Sequence, residues 1–166
     1  KNAEVLEIGG HRSGVLPYLE KSRSVAGTGI DISAAWVSEQ NRLAACRGAA
    51  TRWYLGDAER LPFADNSFDA VVSFDVFEHL SDMRLAMAEC FRVIKPGGQL
   101  LCHMPIQDVR YSLDGIQEQL AGDDWRARQA SVGHFHEQMP TAAMATSWFE
   151  EAGFGLTHHE RFNVWL

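Results

Sequence analysis

The sequence predicts an α/β fold, a doubly wound and mostly parallel sheet in a three-layer α/β/α arrangement. Three observations carry that expectation. Short apolar runs alternate with stretches of helical length from residue 3 to residue 104, the rhythm of strand and crossover helix. One run, FDAVVSFD (68–75), is continuously apolar at its centre, as a strand covered on both faces requires. The first run, VLEI, opens directly into glycines at Gly9, Gly10 and Gly14, where a backbone must turn tightly or lie close to a ligand.

Taken in order, AEVLEI (3–8) reads as a buried strand, GVLPYLEKS (14–22) as a short helix and SVAGTGI (24–30) as a second strand. SAAWVSEQNRLAACRG (33–48) is a helix closed by Gly48, and TRWYLG (51–56) is a third strand. The polar loop DAERLPFADNS leads to the fourth strand at 68–75. SDMRLAMAECFRVI (81–94) is a helix that Ser81 can cap, with Leu85, Ala88, Cys90, Phe91 and Ile94 marking its apolar side before KPGG stops it. QLLCHM (99–104) is the fifth strand. Residues 105–139 lose the rhythm, TAAMATSWFEEAG (141–153) resumes it as a helix, and FGLTHHERFNVWL holds at least one further strand. With no repeat, low-complexity tract or linker, one domain over 1–166 is expected, with 105–139 as an irregular cap. The start at Lys1, directly before a strand, fits a piece trimmed from a longer protein at both ends.

Composition narrows the function. The 166 residues are 46% apolar and 22% charged, a globular balance. Fifteen basic against 22 acidic residues give a net charge of −7 without any basic run, so the attraction that drives nucleic-acid binding is missing. No window approaches a membrane span or a signal peptide. The three cysteines, Cys46, Cys90 and Cys102, show no C-x-x-C spacing and read as small buried thiols in a reduced, cytoplasmic setting. A small-molecule partner is expected, with neither nucleic acid nor membrane.

In doubly wound sheets ligands sit beyond the carboxyl ends of the strands. The residues there are Glu7 with the glycines, Asp31, then Gly56-Asp57-Ala58-Glu59, then Asp75 with Glu78 and His79. Asp31 lies 22 positions after Gly9, where an acidic residue can accept both hydroxyls of a ribose; capping the helix that begins near Ser33 is the other reading of it. Asp57 can accept from an exocyclic amine or serve only as a turn residue. Leu61, Pro62 and Phe63 can wall an adenine or pack the loop. His79 is either a base or a core-edge histidine, and Glu78 is a carboxylate in the first turn of a helix, where no function is needed to explain it.

The blocks GDAERLPFADNSFDAVVSFDVFEHL (56–80) and ECFRVIKPGGQLL (89–101) resemble the class I S-adenosylmethionine-dependent methyltransferases, in particular the small-molecule branch typified by ubiquinone and sterol methyltransferases. The resemblance runs from about residue 3 to 162 and implies their Rossmann-like fold, S-adenosylmethionine as cofactor and S-adenosylhomocysteine as product. It assigns Glu7 and Gly9 to the methionine end of the cofactor and Asp31 to the ribose. Asp57 and the Ala58 amide go to the adenine, and the Phe74 carbonyl to the cofactor's amino group. Gly10, Gly14, Ile32 and Glu59 complete the cofactor contacts. Asp75 and His79 would face the transfer site as the catalytic pair, and Tyr111 and His134 the acceptor.

Two departures stand out. The family's D/E-x-G-x-G-x-G becomes Glu7-Ile8-Gly9-Gly10-His11-Arg12-Ser13-Gly14, one residue longer and with His11 at the middle glycine. His136 stands where the G-H-x-R-x-x-T-P pattern of the cap has Arg, and an imidazole does not replace a guanidinium fork for an anionic acceptor. The resemblance implies methyl transfer to a small-molecule acceptor; the altered loop keeps a non-catalytic cofactor-binding or interaction domain as the alternative. Methyl transfer asks mainly for alignment and water exclusion, and the histidines form no metal-ligand pattern.

Overall fold

The computed structural model describes residues 2–10, 14–22, 25–106 and 139–158, with 120, 123, 124 and 127 besides. The chain divides into two compact units, Lys1–Met104 and Pro105–Leu166, and the boundary falls where the sequence loses its alternation. The first unit runs β1 (Ala3–Ile8), α1 (Leu16–Ser22), β2 (Val25–Asp31), α2 (Ala34–Arg47), β3 (Arg52–Leu55), β4 (Phe68–Phe74), a 3-10 turn (Phe77–His79), α3 (Met83–Val93) and β5 (Ile94–His103). Among the described residues the sheet has five strands, all parallel, in the order β3-β2-β1-β4-β5. The order reverses between β1 and β4, which places the switch point, and with it the expected ligand crevice, at Ile8 and Phe74.

Local chemistry accounts for the elements. Ser33 caps α2 by accepting from the Trp36 amide at 3.3 Å, and Gly48 closes it in the left-handed region at φ 67. Asn41 of α2 then pairs with an edge: its Nδ2 donates to the Trp53 carbonyl at 2.8 Å and its Oδ1 accepts from the Trp53 amide at 3.0 Å. That amide occupies backbone groups which β3, the outermost strand, would otherwise leave open. Trp53 itself joins Val5, Leu16 and Val72 in one buried cluster.

Four details differ from the sequence expectation. Asp82, not Ser81, caps α3, accepting from the Leu85 amide at 3.0 Å, because Ser81 turns its hydroxyl and amide to Glu59. The buried face of α3 is Ala86, Met87, Cys90 and Val93, while Leu85 and Phe91 are each 46% exposed; the spacing i, i+1, i+4, i+7 from Ala86 is a single helical stripe. KPGG ends α3 but lies inside β5 rather than before it. Between Phe68 and Ala70 on β4, β5 advances from Ile94 to Gln99, so Lys95–Gly98 bulge from the ladder, where Pro96 has no amide to donate and Gly97 takes φ 81. All three cysteines read as buried, but only Cys90 is; Cys102 is half-buried and Cys46 exposed.

In the second unit α4 (Ala142–Glu151) is capped by Thr141, which accepts from the Met144 amide at 3.2 Å. Residues 154–158 of the expected closing strand carry no regular structure, and 159–166 lie outside the described residues. Among the described residues no helix is long and apolar enough to cross a membrane.

Candidate active site

Register assembles the site. Ile8 pairs with Ile30 and Ser73, Ile30 with Tyr54, and Ser73 with Cys102, so one row of residues crosses all five strands. The next row toward the carboxyl ends carries Gly9, Asp31, Leu55, Phe74 and His103, stitched by Gly9 N–H to Ile30 O at 2.9 Å. One step further stand Gly10, Ile32, Gly56 and Asp75, with the Gly56 amide on Asp31 O and the Asp75 amide on His103 O, both at 3.0 Å. The residues read from the ends of strands one to four thus lie along one edge.

The glycine turn is shaped by its own protein. Gly9 sits at φ 64, and a Cβ there would overlap Val76; at Gly10 it would overlap the Trp53 indole, which also fills the space above Gly29. Gly14 has no neighbour nearer than 3.8 Å to such an atom. Glu7, only 2% exposed, accepts from the Val15 amide at 2.8 Å and the Leu16 amide at 3.2 Å. It therefore clamps the end of β1 to the first turn of α1 and sets the span of the loop between them. Burial raises its proton affinity and the two amides oppose that.

Beyond the turn the edge offers acceptors and an apolar ledge. Asp31 accepts from the Ser33 amide through Oδ1 at 2.8 Å, a local turn that fixes its rotamer beside Ile32, whose side chain is 78% exposed. Asp57 is exposed and accepts from the Glu59 amide at 2.9 Å, with Ala58 buried behind it. Glu59 Oε1 receives the Ser81 amide, the Ser81 hydroxyl and the Asp82 amide within 3.0 Å, which hold its carboxyl below the usual range; the residue ties the loop after β3 to the start of α3.

The same loop is pinned again by α3. Leu61 N–H donates to Glu89 at 2.8 Å, and Arg92, paired with Glu89 at 2.7 Å, donates to the carbonyls of Leu61 and Phe63. Leu61 is buried, and Phe63 stacks edge-on with Tyr54 and Phe68 at centroid distances of 5.9 and 5.2 Å. The second sequence block thus holds the first, and the loop that presents Asp57 and Ala58 is rigid.

At the β4–β5 side the structure adds a residue. His103 Nδ1 and Asp75 Oδ1 are hydrogen-bonded at 2.5 Å, and Asp75 takes the left-handed φ of 54, rare for a residue other than glycine. Asp75 and His79 are both exposed, and Glu78 between them is buried in the 3-10 turn. Sequence reasoning followed the ends of strands one to four and stopped before the fifth; carried one strand further, the same rule reaches His103. Tyr111 and His134 lie outside the described residues. Among the described residues no three metal-ligating side chains converge. A cavity of about 330 Å³ opens between α1 and α2, lined by Tyr18, Lys21, Trp36 and Gln40 among others; it reaches the carboxyl edge only at Gly10 and Gly14 and is not the crevice of the switch point.

These residues fit the cofactor that the two sequence blocks imply: fixed carboxylates open at Asp31 and Asp57, an exposed apolar side chain at Ile32, and a turn at Gly9 that side chains of the protein keep narrow. The comparisons with known proteins agree. The family described as "Methyltransferase domain" matches residues 6–102. A ubiquinone/menaquinone biosynthesis C-methyltransferase, UbiE, of Desulfotalea psychrophila is 30% identical over 149 residues, 81% of this chain and 58% of that protein. The human mitochondrial 2-methoxy-6-polyprenyl-1,4-benzoquinol methylase is 32% identical over 136 residues, 75% of this chain and 41% of its own. Phosphoethanolamine N-methyltransferase 2 of Haemonchus contortus, solved with S-adenosyl-L-methionine, superposes with a TM-score of 0.74 at 18% identity over 93% of this chain and 33% of that one, which is a likeness of fold. The chain spans about two fifths to three fifths of the length of these two curated relatives. On its five-stranded sheet and on the match over residues 6–102, the chain belongs to the class I S-adenosylmethionine-dependent methyltransferases.

Proposed function

We propose that this protein binds S-adenosylmethionine along the carboxyl edge of the sheet and transfers its methyl group to a small hydroxylated aromatic acceptor, leaving S-adenosylhomocysteine. The observation that carries the reading is the register of the edge, which sets Gly9, Asp31, Phe74 and Asp75 in adjoining rows on neighbouring strands. Asp31 is positioned to accept from ribose hydroxyls, Asp57 from the adenine amine, and Ile32 to cover the base. The Phe74 carbonyl is positioned to accept from the amino group of the methionine end. When bound, the sulfonium supplies an electrophilic methyl carbon; the chain has to orient the acceptor in line with it and exclude water. Asp75 and His79, just beyond the central strand, face the place where that transfer would occur. The names of the two curated relatives, a ubiquinone/menaquinone biosynthesis C-methyltransferase and a benzoquinol methylase, favour an aromatic ring bearing hydroxyls.

Calorimetric titration of the purified chain with S-adenosylhomocysteine and with NAD, followed by methyl-tritium transfer to a reduced short-chain methoxybenzoquinol, tests this. Binding of the first, none of the second and transfer of label are expected. Binding without transfer to any phenol would leave a cofactor-binding domain in place of an enzyme, and binding of NAD alone would end the reading.

A further inference from the structure

We propose that Asp75, Glu78 and His103 form one proton-accepting unit at the carboxyl ends of β4 and β5, in which the His103 ring takes the hydroxyl proton of a phenol-type acceptor. This rests on the methyl-transfer reading and adds a base to it, together with the acceptor chemistry that requires one.

The geometry begins with a double link. The Asp75 amide donates to the His103 carbonyl at 3.0 Å, and the His103 ring returns a hydrogen bond to the Asp75 carboxylate at 2.5 Å. An ionised carboxylate only accepts, so the neutral ring carries its proton on Nδ1 and its lone pair on Nε2. A carboxylate behind an imidazole also stabilises the imidazolium that forms when the ring takes up a proton. Both side chains are open to solvent in part, 60% for Asp75 and 34% for His103, so a small molecule at the strand ends can reach them.

Glu78 is the independent observation. It is 8% exposed, and neither carboxylate oxygen has a hydrogen-bond partner. A buried carboxyl with no donor from another residue costs desolvation and returns little to folding. Burial is the first cause of its raised proton affinity, pushed up to about 7; its own backbone amide lowers it, the charge of Asp75 raises it further and His103 lowers it. The other titratable groups around it are the Cys102 thiol on β5, which feels both Glu78 and Asp75, and the Cys90 thiol on α3, which acts on Cys102. Burial pushes both thiols up, so they stay neutral. Glu78 is thus a negative charge in reserve, favourable only when the imidazole near it is charged.

The proton transfer then follows for that acceptor. A phenol-type hydroxyl, the acceptor proposed above, becomes a strong nucleophile only as its proton leaves. The O–H bond breaks toward His103 Nε2, giving imidazolium, and the electron pair of the phenolate bonds to the methyl carbon. The carbon–sulfur bond breaks with its pair on sulfur. One neutral phenol and one sulfonium give one methylated product, one neutral thioether and one proton on the His103 ring.

The test is NMR titration of the full chain labelled with 15N in its histidine rings, with and without S-adenosylhomocysteine. His103→Gln identifies the signal, and Glu78→Gln and Asp75→Asn perturb it. Expected are an Nδ1–H tautomer at His103, loss of that preference in Asp75→Asn, and a His103 titration midpoint lower by roughly half a pH unit or more in Glu78→Gln. An Nε2–H tautomer in the wild type, or a midpoint unmoved by Glu78→Gln, overturns the proposal. Calorimetry on the same samples separates the two readings: failure of the wild type to bind S-adenosylhomocysteine counts against methyl transfer, while an uncoupled His103 in a protein that binds it counts against this unit alone.

Discussion

Glu7 and Glu78 are buried carboxyls at the same end of the same sheet, and the protein treats them in opposite ways. Glu7 ends β1 with both oxygens engaged by the Val15 and Leu16 amides. Glu78 follows β4 in a 3-10 turn with neither oxygen engaged. Burial raises the proton affinity of both, but only the first receives donors from other residues that favour its charged form; Glu78 has its own backbone amide alone. A buried carboxyl that is fully satisfied builds a scaffold. One left without a donor from another residue is a group that folding does not explain, and the difference separates the β1 side of the edge, which holds the scaffold, from the β4–β5 side, where the proton-accepting unit is proposed.

The largest effect should come from breaking the satisfied side. Glu7→Ala orphans two amides of the β1–α1 junction and opens a void, so it should cost about 4 kcal/mol of unfolding free energy in urea and abolish S-adenosylhomocysteine binding; a loss under about 1 kcal/mol would show that the clamp is not structural.

Relieving the unsatisfied side should do the reverse. With its proton affinity raised from 4.5 to about 7, folded Glu78 keeps a proton that the unfolded chain has released. Its effect on stability is therefore neutral below 4.5, grows unfavourable as pH rises, and is complete above 7. Glu78→Gln should gain about 3 kcal/mol at pH 8 and almost nothing at pH 4. Melting at both pH values checks it, and an equal effect at the two would mean that the carboxyl is solvated.

Between these lies Asp31, whose Oδ1 holds only a local turn. Asp31→Ala should leave the melting temperature within a few degrees and weaken S-adenosylhomocysteine binding by about 2 kcal/mol, the scale of a hydrogen bond to a charged group. Unchanged affinity in calorimetry would take Asp31 away from the ribose. The smallest effect is expected at Asp82, where a single cap contact on α3 is lost; Asp82→Ala should cost about 1 kcal/mol without altering cofactor affinity, and a change in affinity would show that the start of α3 belongs to the site.

The strand ends were legible because a parallel sheet puts its chemistry at one edge, and the sequence positions of Gly9, Asp31, Asp57 and Asp75 then fall into place. What each glycine is for was not legible. Gly10 read as a cofactor contact and Gly29 as an ordinary strand residue until Trp53, 24 positions beyond Gly29, is seen lying over both. Glu59 read as a cofactor contact and Glu78 as a carboxylate in the first turn of a helix, yet Glu59 is tied down by three donors from Ser81 and Asp82, and no other residue donates to Glu78. The apolar side of α3 could not be phased by eye because Leu85, Ala88 and Phe91 form an apolar row as regular as the buried one.

By itself the sequence determined the alternation of strand and helix, the parallel sheet and the family, because periodicity, caps and turn residues act over a few positions and two motif blocks state them plainly. It also named most of the edge. Tertiary structure alone decided which carboxylates are occupied and which are open, and that His103, 28 positions from Asp75, is its partner. Hydrogen-bond satisfaction and burial depend on what a strand's neighbours bring to it, and neighbours in a doubly wound sheet are separated in sequence by whole crossover connections.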